Sequence, residues 1–156
     1  MKPGQFGGIT QARAELQKRL SKFASRKQVY VGLPAGSGTS ADGTSIVEYG
    51  TYNEFGTATI PERSFLRVPL RQNSDKIRSD FTRLMKLVAE DKYTLDQALN
   101  MIGAKAASIS QESISAGIAP ENAPGTIAKK GQGKNTLVDT GRMRQAITWV
   151  LRDKDE

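Results

Sequence analysis

Cysteine and histidine are both absent from this chain of 156 residues. Without cysteine there is no disulfide framework and no thiolate chemistry. Without histidine the chain has neither the commonest general base at neutral pH nor the commonest metal ligand. Most hydrolase mechanisms are therefore disfavoured, although carboxylates and lysines still offer acid and base chemistry. No apolar run approaches the roughly 18 to 20 residues that a membrane-spanning helix requires, and no membrane partner is expected. The opening MKPGQFGGITQARAELQ has no apolar core of a secretory kind, which points to folding in the cytoplasm. The 37% apolar and 25% charged fractions are those of a soluble globular protein. The length predicts a single domain over 1–156 with one core.

Charge is unevenly spread along the chain. Residues 31–62 carry no lysine or arginine but four acids, Asp42, Glu48, Glu54 and Glu62, whereas residues 1–30 carry seven basic groups against Glu15 alone. The net charge of +7 invites a nucleic-acid reading, because lysines and arginines gain affinity by releasing counterions from phosphates. The segregation along the chain suits self-association equally well, since opposite patches on neighbouring copies attract and fix orientation.

Apolar residues at Ile9, Ala12, Leu16, Leu20 and Phe23 recur at helical spacing and predict an amphipathic helix with a basic outer face. Val29, Val31 and Leu33 then alternate with Gln28, Tyr30 and Gly32, predicting a strand that Pro34 ends. Residues 35–45, AGSGTSADGTS, read as a mobile loop. SIVEYGTY fits two patterns; its β-branched and aromatic content favours a strand, while Ile46, Tyr49 and Phe55 also suit a short helix. The expectation is a strand.

Beyond Pro61 one long helix is expected from near Ser64 to Val88, with Pro69 early in it, where a missing N–H costs least. Thr94 and Gln97 form the capping box of a second helix whose stripe is Leu95, Leu99, Ile102, Ala106 and Ile109, with Gly117 as its stop. Residues 118–136 form a second long loop. AITWVLR closes the chain as a strand, with Trp149 in its buried alternation. The fold class is α+β: a small, mostly antiparallel sheet packed against two long helices, with the amphipathic N-terminal helix beside them.

Motifs for chemistry are weak. VYVGLPAGSGTS sets a glycine-rich loop after a strand, but lacks the Gly-Lys-Ser/Thr with which a phosphate-binding loop opens its helix. Lys129, Lys130 and Lys134 lie among glycines and offer contact with a DNA backbone or a neighbouring protein, without an interleaved aromatic to stack on bases. No catalytic, cofactor-binding or metal-ligating residue is assigned. NEFGTATIPERSFLR, residues 53–67, reads as a strand-to-helix corner in which Gly56 permits a turn, Pro61 launches a helix, and Phe55 and Phe65 tuck into the core.

NEFGT and IPERSFLR, followed by a helix, a loop with NAPGTIAKKG and then LVDTGRMRQAITWVL, resemble a family of tail-completion or head-to-tail joining proteins of long-tailed bacteriophages. The family pattern runs approximately N-E-F-G-T, I-P-x-R-P-F-L-R and P-L-V-D-T-G-x-L-x-x-S-I, so the resemblance spans most of residues 29–151. The chain departs from it at Ser64, at Asn135 and Thr136, and at Ala146. The resemblance implies a non-enzymatic virion protein, without cofactor, assembled in the host cytoplasm as a six-fold or twelve-fold ring of identical copies in the neck. Its partners would be the head connector or portal-bound proteins, the tail tube protein and DNA in the channel. Glu54, Phe55, Arg63, Phe65, Arg67, Asp139 and Arg142 become candidate interface residues, with Arg63 or Arg67 expected to pair with an acid of segment 42–62 of an adjacent copy, Glu54 first among them. Asp139 or Thr140 is expected to cap the turn in LVDTGRMRQAI. The alternative is a basic DNA-binding accessory protein of a phage or prophage.

Overall fold

A computed structural model of the chain describes residues 5–40, 43–125, 128, 137 and 141–154. The elements run α1 (Gln5–Ser21), β1 (Lys27–Gly32), α2 (Ile46–Phe55), α3 (Arg67–Gln72), α4 (Ser74–Ala89), α5 (Leu95–Ala116), α6 (Arg142–Ala146) and β2 (Thr148–Asp153). The fold is α+β: a two-stranded antiparallel sheet packs against long helices. Its register pairs Val29 with Leu151 and Val31 with Trp149, so these four half-buried side chains share one face. Tyr30 and Val150, paired opposite each other, face outward.

α5 organises the molecule. It starts at the expected capping box, in which Thr94 Oγ1 accepts from the Gln97 N–H at 3.2 Å and Gln97 Oε1 accepts from the Thr94 N–H at 2.9 Å. Gly117, at φ 86°, ends it. The sheet lies on its face through Gly103, where a Cβ would stand 2.2 Å from Trp149 Cδ1. The Trp149 indole N–H donates to Asn100 Oδ1 at 3.1 Å. Lys27 Nζ reaches Asp96 Oδ2 at 2.6 Å and ties the far end of β1 to the first turn of α5.

Where one core was expected, the buried apolar residues among those described form two clusters. Leu84, Val88, Ala98 and Ile102 join α4 to α5. Ile46, Phe65, Ala107, Ile114, Leu137, Met143 and Ile147 join α2, α5, α6 and the segment before α3.

Three sequence expectations are corrected. SIVEYGTY is part of a helix, not a strand: Ile46, Gly50, Asn53 and Glu54 form its buried side, and Gly50 lets Leu33 approach to where a Cβ would sit 2.3 Å from its Cδ1. The sheet therefore has two strands. The single helix over 64–88 is two, because Asn73 (φ −98°, ψ 12°) closes α3 by donating its N–H and side-chain amide to the Pro69 carbonyl before α4 begins. Finally, α1 forms but its stripe is not covered by the long helices. Ile9, Leu16 and Leu20 are 69%, 57% and 59% exposed, and the salt bridge from Lys22, just beyond α1, to Asp91 at 2.6 Å ties this region to the turn after α4. Residues 35–40 and 43–45 take up a turn, with Ile46 N–H donating to the Gly38 carbonyl at 3.0 Å and a bridge between Thr39 and Ser45.

Candidate functional site

Residues 53–67 form a corner built around one carboxylate. α2 ends at Phe55, and Gly56 turns the chain at φ 73°, with the Glu62 backbone nitrogen 3.0 Å from where a Cβ would be. Thr57 shapes the next turn, its Oγ1 accepting from the Ile60 N–H at 2.9 Å while its own N–H donates to the Ile60 carbonyl at 2.8 Å. The chain then doubles back along α2, and the Arg63 N–H donates to the Asn53 carbonyl at 2.6 Å.

That path delivers the N-terminus of α3 to Glu54, which is 3% exposed. Its Oε2 accepts from the N–H groups of Phe65 (2.8 Å) and Leu66 (3.0 Å). Its Oε1 accepts from the Ser64 hydroxyl (2.7 Å), the Arg67 N–H (3.0 Å) and Arg67 Nε (3.0 Å). Unpaired donors at a helix start are usually met by the residue next to them. Here a glutamate ten or more positions earlier does so, and Ser64 adds to it by accepting from the Val68 N–H at 3.0 Å. Burial pushes the Glu54 carboxyl upward, but the bonds from Ser64 and from the N–H groups of Arg67, Leu66 and Phe65 outweigh it and hold its pKa below the ordinary value.

Two arginines extend the corner in different directions. Arg67 Nη2 donates to the Glu54 carbonyl at 2.7 Å and to Glu62 Oε1 at 2.8 Å, and its guanidinium carbon lies 4.4 Å from the centroid of the Phe55 ring. Arg63 is buried and points to the second long loop, donating Nε to the Pro120 carbonyl at 2.7 Å and Nη2 to the Glu121 carbonyl at 2.9 Å.

The expected pairing of Arg67 with Glu54 is thus made inside one chain, and Arg63 binds backbone carbonyls of its own chain rather than an acid. Phe65, 1% exposed, is a core residue, whereas Phe55 is 60% exposed beneath Arg67 instead of tucked in. Arg142 is exposed at the start of α6, a short helix where a capped turn was expected, and donates Nη1 to the Thr39 carbonyl at 3.1 Å. It lines an open groove of about 530 Å³ with the 34–39 turn. Asp139, Thr140, Lys129, Lys130 and Lys134 lie outside the described residues.

Asn53, Ser64 and the carbonyls of residues 120 and 121 were not singled out by sequence reasoning, although Ser64 stood out as a departure from the family pattern. Among the described residues, no group of three or more aspartates or glutamates is placed to hold a metal ion, and no helix is long and apolar enough to cross a membrane. Compared with protein-family models, curated proteins and solved structures, the chain finds no match.

Proposed function

We propose that the chain is a non-enzymatic structural subunit of a long-tailed phage neck, forming a homo-oligomeric ring that completes or terminates the tail and joins it to the head connector. One observation supports this above the others. Two segments that carry the family resemblance, distant in sequence, meet around Phe65: the 53–67 corner supplies Phe65 itself, and the last segment supplies Leu137, Met143 and Ile147 to the same cluster. Both long loops leave from this unit, the first tied by Arg142 and the second by Arg63. A rigid corner that presents long loops suits a subunit whose loops order against neighbours. Its partners under this reading are further copies of itself, portal-bound connector proteins, the tail tube protein and DNA passing through the channel.

The net charge of +7 favours a second reading, a basic DNA-binding accessory protein. A mass measurement of the assembled particle together with duplex binding separates the two. A closed ring that restores head-to-tail joining to particles lacking it, with negligible affinity for short duplexes, supports the neck reading. A monomer that binds duplexes tightly, with a salt dependence flattened by replacing Lys129, Lys130 and Lys134 with Gln, overturns it in favour of the second.

A further inference from the structure

Two exposed apolar faces stand out among the described residues. On α1, Ile9, Leu16 and Leu20 lie on one side at 3.6 residues per turn, with Arg13 and Arg19 along its two edges. On α2, the side opposite the core presents Glu48, Tyr52 and Phe55 at i, i+4 and i+7, with Tyr52 37% and Phe55 60% exposed. The Tyr52 hydroxyl donates to the Glu48 carboxylate, so the aromatic and the acid are presented together.

We infer that α1 of one copy docks along the outer face of α2 in the next copy. The inference rests on the ring reading above and names the surfaces that such a ring would join. The two faces differ in charge: α1 carries Arg13, Lys18 and Arg19 against Glu15, while the outer side of α2 carries the acid Glu48 and no base, Glu54 and Glu62 being paired with Arg67 of their own chain. They also match in chemistry, leucines and guanidinium groups against aromatic rings and carboxylates. Arg67 already lies over Phe55 in this way, 4.4 Å from its centroid. A contact of α1 with α1, or of α2 with α2, would bring like charges together and is disfavoured. The favoured contact is therefore head-to-tail, the type that generates a ring when its rotation closes. A membrane surface or a nucleic acid would engage the basic α1 but leave the acidic aromatic face of α2 unexplained; a second copy accounts for both.

The absence of cysteine makes the test direct. Leu16→Cys and Tyr52→Cys are made singly and together, and a short bismaleimide is added under conditions where the wild type associates. The two single variants, mixed, should give a cross-linked dimer containing one of each, and the double variant a ladder that ends at the ring size. Arg13→Glu should weaken association by at least about tenfold, roughly 1.4 kcal/mol, and Glu48→Arg in the same chain should recover part of that loss. Circular dichroism checks that each variant is folded, and Ile9→Cys with Phe55→Cys serves as a second pair. Preferential linking of Leu16→Cys to itself, a link within one chain of the double variant, or α1-dependent capture on anionic vesicles or duplex DNA without cross-links would overturn the inference. Rings that form without any of these links would sink this contact and leave the ring reading standing, whereas a wild type that sediments as a monomer at all concentrations would remove both.

Discussion

Arg67 and Glu54 meet within one chain, with Arg67 Nε 3.0 Å from Glu54 Oε1 and Arg67 Nη2 2.7 Å from the Glu54 carbonyl. The guanidinium bridges the end of α2, the beginning of α3 and Glu62 between them. Charge reversal at Arg67 would therefore gather a third carboxylate beside Glu54 and Glu62, and would damage the corner before it reported on contact between copies. An Arg at position 54 would not restore the corner either, because a cation cannot accept from the N–H groups of Phe65, Leu66 and Arg67.

Glu54→Gln should lower the unfolding free energy by roughly 2–4 kcal/mol, because the amide's NH2 is turned toward buried donors. Arg67→Ala should cost only about 1 kcal/mol, since its side chain is 44% exposed and its ion pairs are partly screened. Urea denaturation of the two variants checks the order; equal losses would show that the carboxylate is not the centre of the corner.

The same carboxylate gives stability a pH dependence. Its folded pKa lies below the unfolded one, so between the two values the unfolded chain binds more protons and stability rises with pH. The contribution is fully present above the usual glutamate pKa and is lost as pH falls through the lowered folded value. Asp91, lowered by its bond from Lys22, acts in the same direction. The wild type minus Glu54→Gln difference isolates Glu54: it should shrink on acidification, and a difference independent of pH between 7 and about 3 would contradict the assignment.

Two helix glycines should respond differently to alanine. At Gly103 the new methyl would meet Trp149 Cδ1, Cγ and Cβ at 2.2, 2.5 and 3.0 Å, so the indole must move as a body. At Gly50 it would meet Leu33 Cδ1 at 2.3 Å, the far end of a flexible side chain. Alanine gains about 1 kcal/mol of helix propensity at either position, while overpacking costs about 1–3 kcal/mol. Gly103→Ala should be net destabilising and shift the emission of the single tryptophan; Gly50→Ala should be near neutral. Thermal melts with fluorescence distinguish the two.

Arg63→Lys should loosen the start of the second loop. An ammonium cannot reproduce the fork that spans the Pro120 and Glu121 carbonyls. Amide exchange should rise over residues 118–123 by more than over α5, and assembly with neighbouring copies should slow exchange in both loops, 35–45 and 118–136. Protection of both loops equal to that of the helices in the free wild-type subunit would count against their ordering on assembly.

Much of the fold was legible locally. The Thr94–Gln97 box, the stripe from Leu95 to Ile109 and the stop at Gly117 act over three or four residues, within which sequence spacing and spatial neighbourhood coincide. The alternation of Val29 and Val31 against Trp149 and Leu151 was legible for the same reason, because period two needs only the strand's own pleat. Signals failed where two periods fitted one segment. Residues 46–55 satisfy a strand by composition and a helix by spacing, and in the fold they form a helix with Leu33 and Phe65 packed against Gly50.

The candidate site was half legible. The corner itself was read from Gly56 and Pro61, since glycine and proline restrict the backbone wherever they stand, whereas Glu54 and Arg67 entered only as contacts to an adjacent copy. What each charge binds was decided by tertiary structure alone. Glu54 reaches donors ten to thirteen residues away, and Arg63 reaches carbonyls 57 and 58 residues away. A buried charge must be satisfied by whatever the fold brings within about 3 Å, and no spacing along the chain encodes that distance. The sequence by itself determined α1, the start and stop of α5, the alternation of β1 and β2 and the segregation of charge, because those depend on neighbours in the chain. Only the folded chain decided that the acid and the arginine of the corner face each other rather than a second copy, and that the stripe of α1 remains exposed.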